Sequence, residues 1–243
     1  MKNANNIIVV MPTYNERNNI VKMINAINAL NLPIDILVVD DNSPDGTGEL
    51  VESIKKSRTN LDIIHRKKKE GLGPAYREAF RFILNKDKYG YIIHMDADMS
   101  HSPKYIPILL EAIKKYDVAI GSRYVKGGAV SDLWNVPRKF LSRVGNFYAQ
   151  IITGLKLKDC TGGFRCYRNQ ALKSIDFNKR FLNGYGFLIQ MLYETSKNGF
   201  KIYEIPIYFA ERERDLSKMN LSIMIEACLS LPLMRLRDLL NIK

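Results

Sequence analysis

Asp96-Ala97-Asp98 places two carboxylates one residue apart, directly after the apolar run Tyr91-Ile92-Ile93-His94-Met95. Residues i and i+2 of an extended chain point the same way. Two such carboxylates repel unless a cation lies between them. Mg²⁺ or Mn²⁺ favours hard oxygen ligands and commonly shares them with phosphate. The pattern therefore reads as a metal joining a carboxylate motif to a diphosphate. A plain polar loop after a strand is the competing reading of Asp-x-Asp taken alone. Ser100 and His101 follow within three residues of the pair and can support it. Asp40-Asp41, after Ile34 to Val39, is a second acidic strand end. A carboxylate there can accept hydrogen bonds from a base or ribose, or it can cap a helix. Arg123, Arg138, Arg143, Arg165, Arg212 and Arg214 are spread through the second half. Arginine is suited to fork-like phosphate contacts, although each one alone is more often a surface residue.

Other chemistries are poorly supported. Gly71-Leu72-Gly73 lacks the Gly-Lys-Ser/Thr of a P-loop and the third glycine of a dinucleotide fingerprint. His65, His94 and His101 are wrongly spaced for a metal triad. His94 falls in a buried strand and reads as a satisfied core residue. Cys160, Cys166 and Cys228 are odd in number and widely spaced, which argues against a disulfide framework or a zinc site and for a reducing compartment.

These groups need elements to position them. Ile7 to Met11 reads as a buried parallel strand, and Ile20, Met23, Ile24 and Ile27 keep helical spacing after it. Strand, helix, strand, helix continues through Ile34–Val39, Leu50–Ile54, Leu61–His65, Ala79–Ile83 and Tyr91–Met95, with a further strand at Val118–Gly121. That cadence predicts an α/β fold, a mostly parallel Rossmann-like sheet flanked by helices, with ligands beyond the carboxyl ends of the strands. The second half predicts a basic helix from Pro137 to Ile152, a Gly-rich turn at Thr161 to Arg165, a helix near Leu188 to Lys197 and a strand near Lys201 to Pro206. The tail from Met219 predicts an amphipathic helix kinked at Pro232, with Leu221, Ile225, Leu229, Leu233 and Leu236 on one side. The division is 1–218 for the main domain and 219–243 for the tail.

Lys+Arg exceed Asp+Glu by 37 to 25, a net charge of +12, which points to an anionic partner. No zinc pattern, RNA-binding aromatic signature or long basic helix supports nucleic acid. The run Arg66-Lys67-Lys68-Lys69 reads as a solvated loop that can also touch anionic lipid. No segment reaches the roughly 20 apolar residues of a membrane span, and the N-terminus enters a strand without a signal peptide. The expectation is a cytoplasmic protein, peripheral on the cytoplasmic face of a membrane.

Taken in order, the motifs resemble glycosyltransferase family 2, which has the GT-A fold, and within it the dolichol- or polyprenol-phosphate mannosyltransferases. The resemblance rests on Met11-Pro12-Thr13-Tyr14-Asn15-Glu16, Val38 to Thr47, Gly71 to Ala75, Met95 to His101, Gly121 to Tyr124 with Gly127-Gly128, Arg138-Lys139 with Ser142, Thr161 to Arg165, and Ser217-Lys218. It implies that Pro12, Tyr14, Glu16, Val39 and Asp41 hold the nucleoside of a sugar nucleotide, with Asp96 and Ala97 beside them. Asp96, Asp98 and Ser100 would surround Mg²⁺ or Mn²⁺. Asp98, Arg123, Arg138 and Ser142 would form the catalytic set, the last three gripping the acceptor phosphate. Arg212 or Arg214, with Lys218, would close over the diphosphate. Some members carry Gln where Ser100 stands, and Asp215 occupies a position where Gly is usual. The resemblance is to the short form without transmembrane helices, which in some organisms depends on small membrane subunits.

The implied reaction is inverting transfer of mannose from GDP-mannose to a polyprenyl phosphate in the membrane. A UDP-sugar-dependent glucosyl- or N-acetylhexosaminyltransferase on the same fold is the nearer alternative. A non-catalytic nucleotide-sugar-binding subunit is the farther one.

Overall fold

The computed structural model describes residues 6–178, 182, 184–211 and 221–240, with backbone alone at 185 and 221–227. In chain order the elements are β1 (Ile7–Thr13), α1 (Arg17–Asn28), β2 (Ile34–Asp40), α2 (Thr47–Lys55), β3 (Leu61–His65), α3 (Leu72–Lys86) and β4 (Tyr91–His94). There follow α4 (Ile106–Ala112), β5 (Val118–Ser122), β6 (Ala129–Val130), α5 (Val136–Thr153), β7 (Arg165–Arg168) and α6 (Asn169–Lys173). The last are α7 (Gly184–Lys197), β8 (Ile202–Pro206), β9 (Tyr208–Phe209) and α8 (Leu221–Leu239).

Seven strands form one sheet in the order β3-β2-β1-β4-β7-β5-β8. The inner strands are apolar on both faces because alternate residues feed two layers. Ile8, Val10, Leu37 and Val39 pack against α3, α6 and α7 on one face. Ile7, Val9, Met11, Ile36 and Val38 pack against α1, α2 and α4 on the other. A slip of one residue in either strand would exchange these layers, so burial specifies the register. Pro12 pairs with Val39 and Val10 with His94, which aligns the ends of β1, β2 and β4.

From β1 the chain winds outward through β2 and β3, then returns to place β4 on the other side of β1. The strand order therefore reverses between β1 and β4, and a crevice opens beyond their carboxyl ends. The Asp96 segment follows β4 into that crevice.

The second half departs from the sequence reading in three places. The segment read as a Gly-rich turn leads into β7, which runs antiparallel between β4 and β5. Its four residues are too few and too polar, Arg-Cys-Tyr-Arg, to announce a strand. A two-stranded ribbon of β6 and β9 joins the loop after β5 to the chain after β8. Finally, α8 continues past Pro232 to Leu239 as one helix. It packs on α5 and α7, with Leu231 fully buried. Tyr193, Lys197 and Arg235 hold Asp238 at its far end. Leu229, Leu233 and Leu236 face outward, as the amphipathic reading predicted. The side chains of Leu221 and Ile225 lie outside the described residues. So does the 218/219 boundary.

Candidate active site

Three loops at the carboxyl edge each contain a non-glycine residue with positive φ: Asn15 at 61° after β1, Asn42 at 56° after β2, and Met99 at 66° after β4. Such residues cost backbone energy and collect at functional sites. The loops are also tied together. Asn15 N–H donates to Ser43 Oγ at 3.0 Å, and Glu16 N–H donates to Thr47 Oγ1 at 3.0 Å. Asp45 accepts from the backbone N–H groups of Arg17 and Thr47 and from the Thr47 hydroxyl. Burial opposes ionisation of Asp45, but these hydrogen bonds and the Arg17 charge outweigh it and hold its carboxyl below the usual range.

Asp40 and Asp41 are both buried and have separate tasks. Asp40 accepts from the Thr13 hydroxyl at 2.9 Å and from the Ser43 N–H and hydroxyl, so it braces the two strand ends. Asp41 accepts from Arg66 and from the N–H groups of Glu70 and Gly71 at 3.3 and 3.2 Å. Arg66 is thus a buried tie to Asp41, Glu70 and Glu78. This corrects the reading of Arg66 as part of a solvated loop, because three carboxylates offset the cost of burying its charge. Lys69, from the same run, sits 3.8 Å from the centre of the Tyr14 ring. Val39 and Ala97 are buried in the core, so they can offer a ligand only backbone. Pro12 and Tyr14 are half-buried and can offer side chains.

The carboxylate pair stands on a bend, because β4 ends at His94. Asp96 and Asp98 are therefore not consecutive same-face residues of an extended strand. Ser100 turns back to donate its N–H at 3.1 Å and its hydroxyl at 2.5 Å to Asp98 Oδ1. Ser100 is fully buried behind the carboxylate that it orients. His101 Nδ1 accepts the Asp96 N–H at 2.9 Å, and its ring stacks on Phe164 and meets the edge of Phe209. The turn Thr161 to Gly163 closes the other side, where a Cβ at Gly163 would stand 3.7 Å from Asp96 Oδ1. Asp96 remains partly exposed, whereas Asp98 is 6% exposed. Among the described residues no third His, Cys, Asp or Glu completes a cage with them. Two carboxylates from an all-oxygen donor set fit a hard divalent cation that fills its shell with water and phosphate oxygens.

His94 is buried, as expected, but it is not satisfied. Neither ring nitrogen has a hydrogen-bond partner among the described residues, and Tyr76, Phe80 and Tyr167 enclose the ring. Burial first, then the charge of Arg165, drives its pKa well below the usual histidine value. It stays neutral and takes part as an aromatic core residue.

The arginines divide into distinct roles. Arg165 is fully buried and donates to the carbonyls of Gly162, Leu188 and Cys160. It fixes the turn against β7, which removes it from the set read as phosphate ligands. Arg123 donates through Nε and Nη2 to Asp159 at 2.7 Å each and to the Thr161 hydroxyl at 2.7 Å. Burial raises the cost of ionising Asp159, and the Arg123 charge and hydrogen bonds outweigh it, so the carboxyl lies below its usual range. Ser142 receives a 2.6 Å hydrogen bond from the Tyr124 hydroxyl, beside Arg123. Arg138 pairs with Glu211 at 2.8 Å and lies 3.9 Å from the Trp134 ring centre. Arg212, Arg214 and Lys218 lie outside the described residues. Asp159 and Lys158 were not singled out in the sequence, since nothing in their local pattern separates them from an ordinary polar turn.

A family model described as Glycosyl transferase family 2 matches residues 8–176, which include both acidic strand ends and the Arg123 segment. The undecaprenyl-phosphate mannosyltransferase of Micrococcus luteus is 40% identical over 221 residues, 91% of this chain and 90% of that protein. The polyprenol monophosphomannose synthase of Mycolicibacterium smegmatis is 40% identical over 222 residues, 90% of this chain and 83% of that protein. A glucosyl-3-phosphoglycerate synthase from Mycobacterium tuberculosis, solved with Mn²⁺, UDP and glucosyl-3-phosphoglycerate, shares the fold. It has a TM-score of 0.66 at 18% identity and is matched over 95% of this chain and 80% of that one. With the mostly parallel sheet, the crevice at its reversal point and the carboxylate loop inside it, the chain is an enzyme of glycosyltransferase family 2 with a GT-A fold.

Proposed function

We propose that the protein transfers mannose from GDP-mannose to a polyprenyl phosphate, inverting the anomeric centre to give a β-linked product and GDP. The observation that carries this reading is 40% identity along about nine-tenths of the chain to two relatives named for mannosyl transfer to polyprenyl acceptors. The donor nucleoside lies among Pro12, Tyr14, Glu16 and Asp41, with Val39 and Ala97 contributing backbone. Lys69, against the Tyr14 ring, brings positive charge to the same mouth.

Asp96 and Asp98 would hold Mg²⁺ or Mn²⁺, with Ser100 aiming Asp98 rather than reaching the ion itself. When bound, the cation offsets charge on the departing diphosphate. The acceptor needs little activation, since a phosphate monoester has a second pKa of about 6 and is largely dianionic near pH 7. Positioning and electrostatics are therefore the chain's main contribution. Arg123, braced by Asp159, and the Tyr124–Ser142 pair stand at the acceptor side. Arg138 would join them on release from Glu211. Arg212 or Arg214, with Lys218, would cover the diphosphate.

The lipid nature of the acceptor is supported by the outer face of α5. Val136, Phe140, Val144, Phe147 and Ile151 recur at helical spacing and are 44–78% exposed. The neighbouring α8 also exposes Leu229, Leu233 and Leu236. Among the described residues no helix is long and apolar enough to cross a membrane. We place the protein peripherally, on the cytoplasmic face, with α5 and α8 at the lipid boundary or against small membrane subunits. Phe140→Asp with Val144→Asp should lower partition onto lipid vesicles by about tenfold or more, since each lost apolar contact is worth about 1.5–3 kcal/mol. Thermal stability should be unchanged because both side chains are exposed. Unaltered co-sedimentation would move the docking surface elsewhere.

The donor is tested by thermal shift with GDP, UDP, GDP-mannose and UDP-glucose, each with Mn²⁺. Stabilisation by the guanine nucleotides alone is expected. Selective stabilisation by UDP compounds would favour the UDP-sugar alternative, and none at all a non-catalytic role.

A further inference from the structure

A cavity of about 450 Å³ opens beyond the carboxyl end of β5. Arg123, Tyr124 and Gly128 form one wall, Arg143 and Phe147 of α5 a second, and Lys158 a third. The charge of Arg123 is already matched by Asp159. Arg143 and Lys158 are exposed and form no side-chain ion pair with any described residue. Two unmatched cations facing one cavity make an anion site, and the guanidinium can hold two phosphate oxygens at once.

Phe147 belongs both to this cavity and to the apolar stripe on α5. The cavity therefore suits an amphiphile, with its anionic head inside and its chain along the stripe. It also lies close to the carboxylate loop. Arg123 is 5.5 Å from the centre of the Phe209 ring, and Phe209 is 5.3 Å from the His101 ring that holds the Asp96 backbone. Two aromatic rings, Phe209 and His101, link Arg123 to the Asp96 backbone.

We propose that Arg143 and Lys158 clamp the phosphate of the lipid acceptor in this cavity, with Phe147 against its first isoprene units. The assignment rests on the polyprenyl phosphate reading and adds two cations to Arg123, which lines the same cavity. Arg138, turned toward Glu211 and Trp134, leaves this cavity to Arg143 and Lys158.

The test uses the full chain, Arg143→Gln with Lys158→Gln, and farnesyl phosphate as a soluble probe. Calorimetry of farnesyl phosphate binding should show a loss of about tenfold or more in the double variant, because both lost contacts are charge-assisted. Farnesol should not bind detectably to either protein. The KM for farnesyl phosphate should rise in parallel, while the KM for GDP-mannose and the melting temperature stay at wild-type values. Equal farnesyl phosphate affinity in the two proteins would overturn the proposal. So would a defect confined to vesicles of anionic phospholipid, which would assign the cations to bulk headgroups. A wild-type protein that binds nucleotide but not farnesyl phosphate would also overturn it. If the wild type binds the probe through these residues yet transfers no mannose, the clamp stands and the proposed reaction fails.

Discussion

Asp98→Asn is expected to lower mannosyl transfer by at least about 10³-fold while the protein stays folded. The substitution keeps the shape and leaves an oxygen to accept from Ser100, whose hydroxyl and N–H both point at Asp98 Oδ1. It removes the charge that a divalent cation needs, and that cation is asked for several kcal/mol of charge stabilisation on the leaving diphosphate. Titration of GDP with and without Mn²⁺ separates this account from a structural one. Wild-type affinity should depend on the metal, and the variant should bind GDP weakly and equally in both conditions. A variant that keeps the metal dependence would remove Asp98 from the metal site. One that melts well below the wild type would show the residue acting mainly as an anchor for Ser100.

Asp159→Asn should produce the largest loss of stability, about 3–5 kcal/mol, because it strands the buried Arg123 guanidinium. Asp159 is completely buried and Arg123 is 9% exposed. The carboxylate also accepts from the backbone N–H groups of Arg123 and Gly162, so its loss loosens both the β5 end and the turn against Asp96. Denaturant unfolding measures the effect. Arg123→Met in the same background should recover part of it, because the orphaned charge is gone. The pH dependence has a definite sign. The folded pKa of Asp159 lies below its unfolded value, so its contribution is complete above about pH 4. The contribution is lost as pH falls through the lower folded value. The wild type should therefore lose more stability on acidification than the variant. Parallel pH profiles, or a loss below about 1 kcal/mol, would show the pair to be weakly coupled.

The first half of the fold was legible because β1, β2 and β4 are mainly apolar runs closed by Pro or Asp, and its helices keep strict spacing. The acidic strand ends were legible for the same reason, since a carboxylate after a buried run stands out. Their tasks were less so. Asp40 and Asp41 are adjacent, yet one braces β1 against β2 and the other holds Arg66, a distinction made by partners distant in sequence. Arg66 looked solvated because three of its neighbours are lysines, and its carboxylates come from the loop after β2, the loop after β3 and α3. β7 was obscured because a short strand flanked on both sides by other strands can hide behind arginines that bond to backbone. The apolar stripe on α5 was hidden within a segment read as basic. Arg138, Lys139 and Arg143 are interleaved with it, and only the packing of Asn146, Ala149 and Thr153 inward shows which residues are left outside.

The most direct test is a single-turnover reaction of GDP-mannose, labelled with ¹³C at the anomeric carbon, with farnesyl phosphate and Mn²⁺, followed by NMR. The account predicts one GDP released per product and a one-bond C1–H1 coupling characteristic of a β-mannosyl phosphate. An α-linked product would contradict single displacement, and transfer from a UDP-sugar with none from GDP-mannose would contradict the donor.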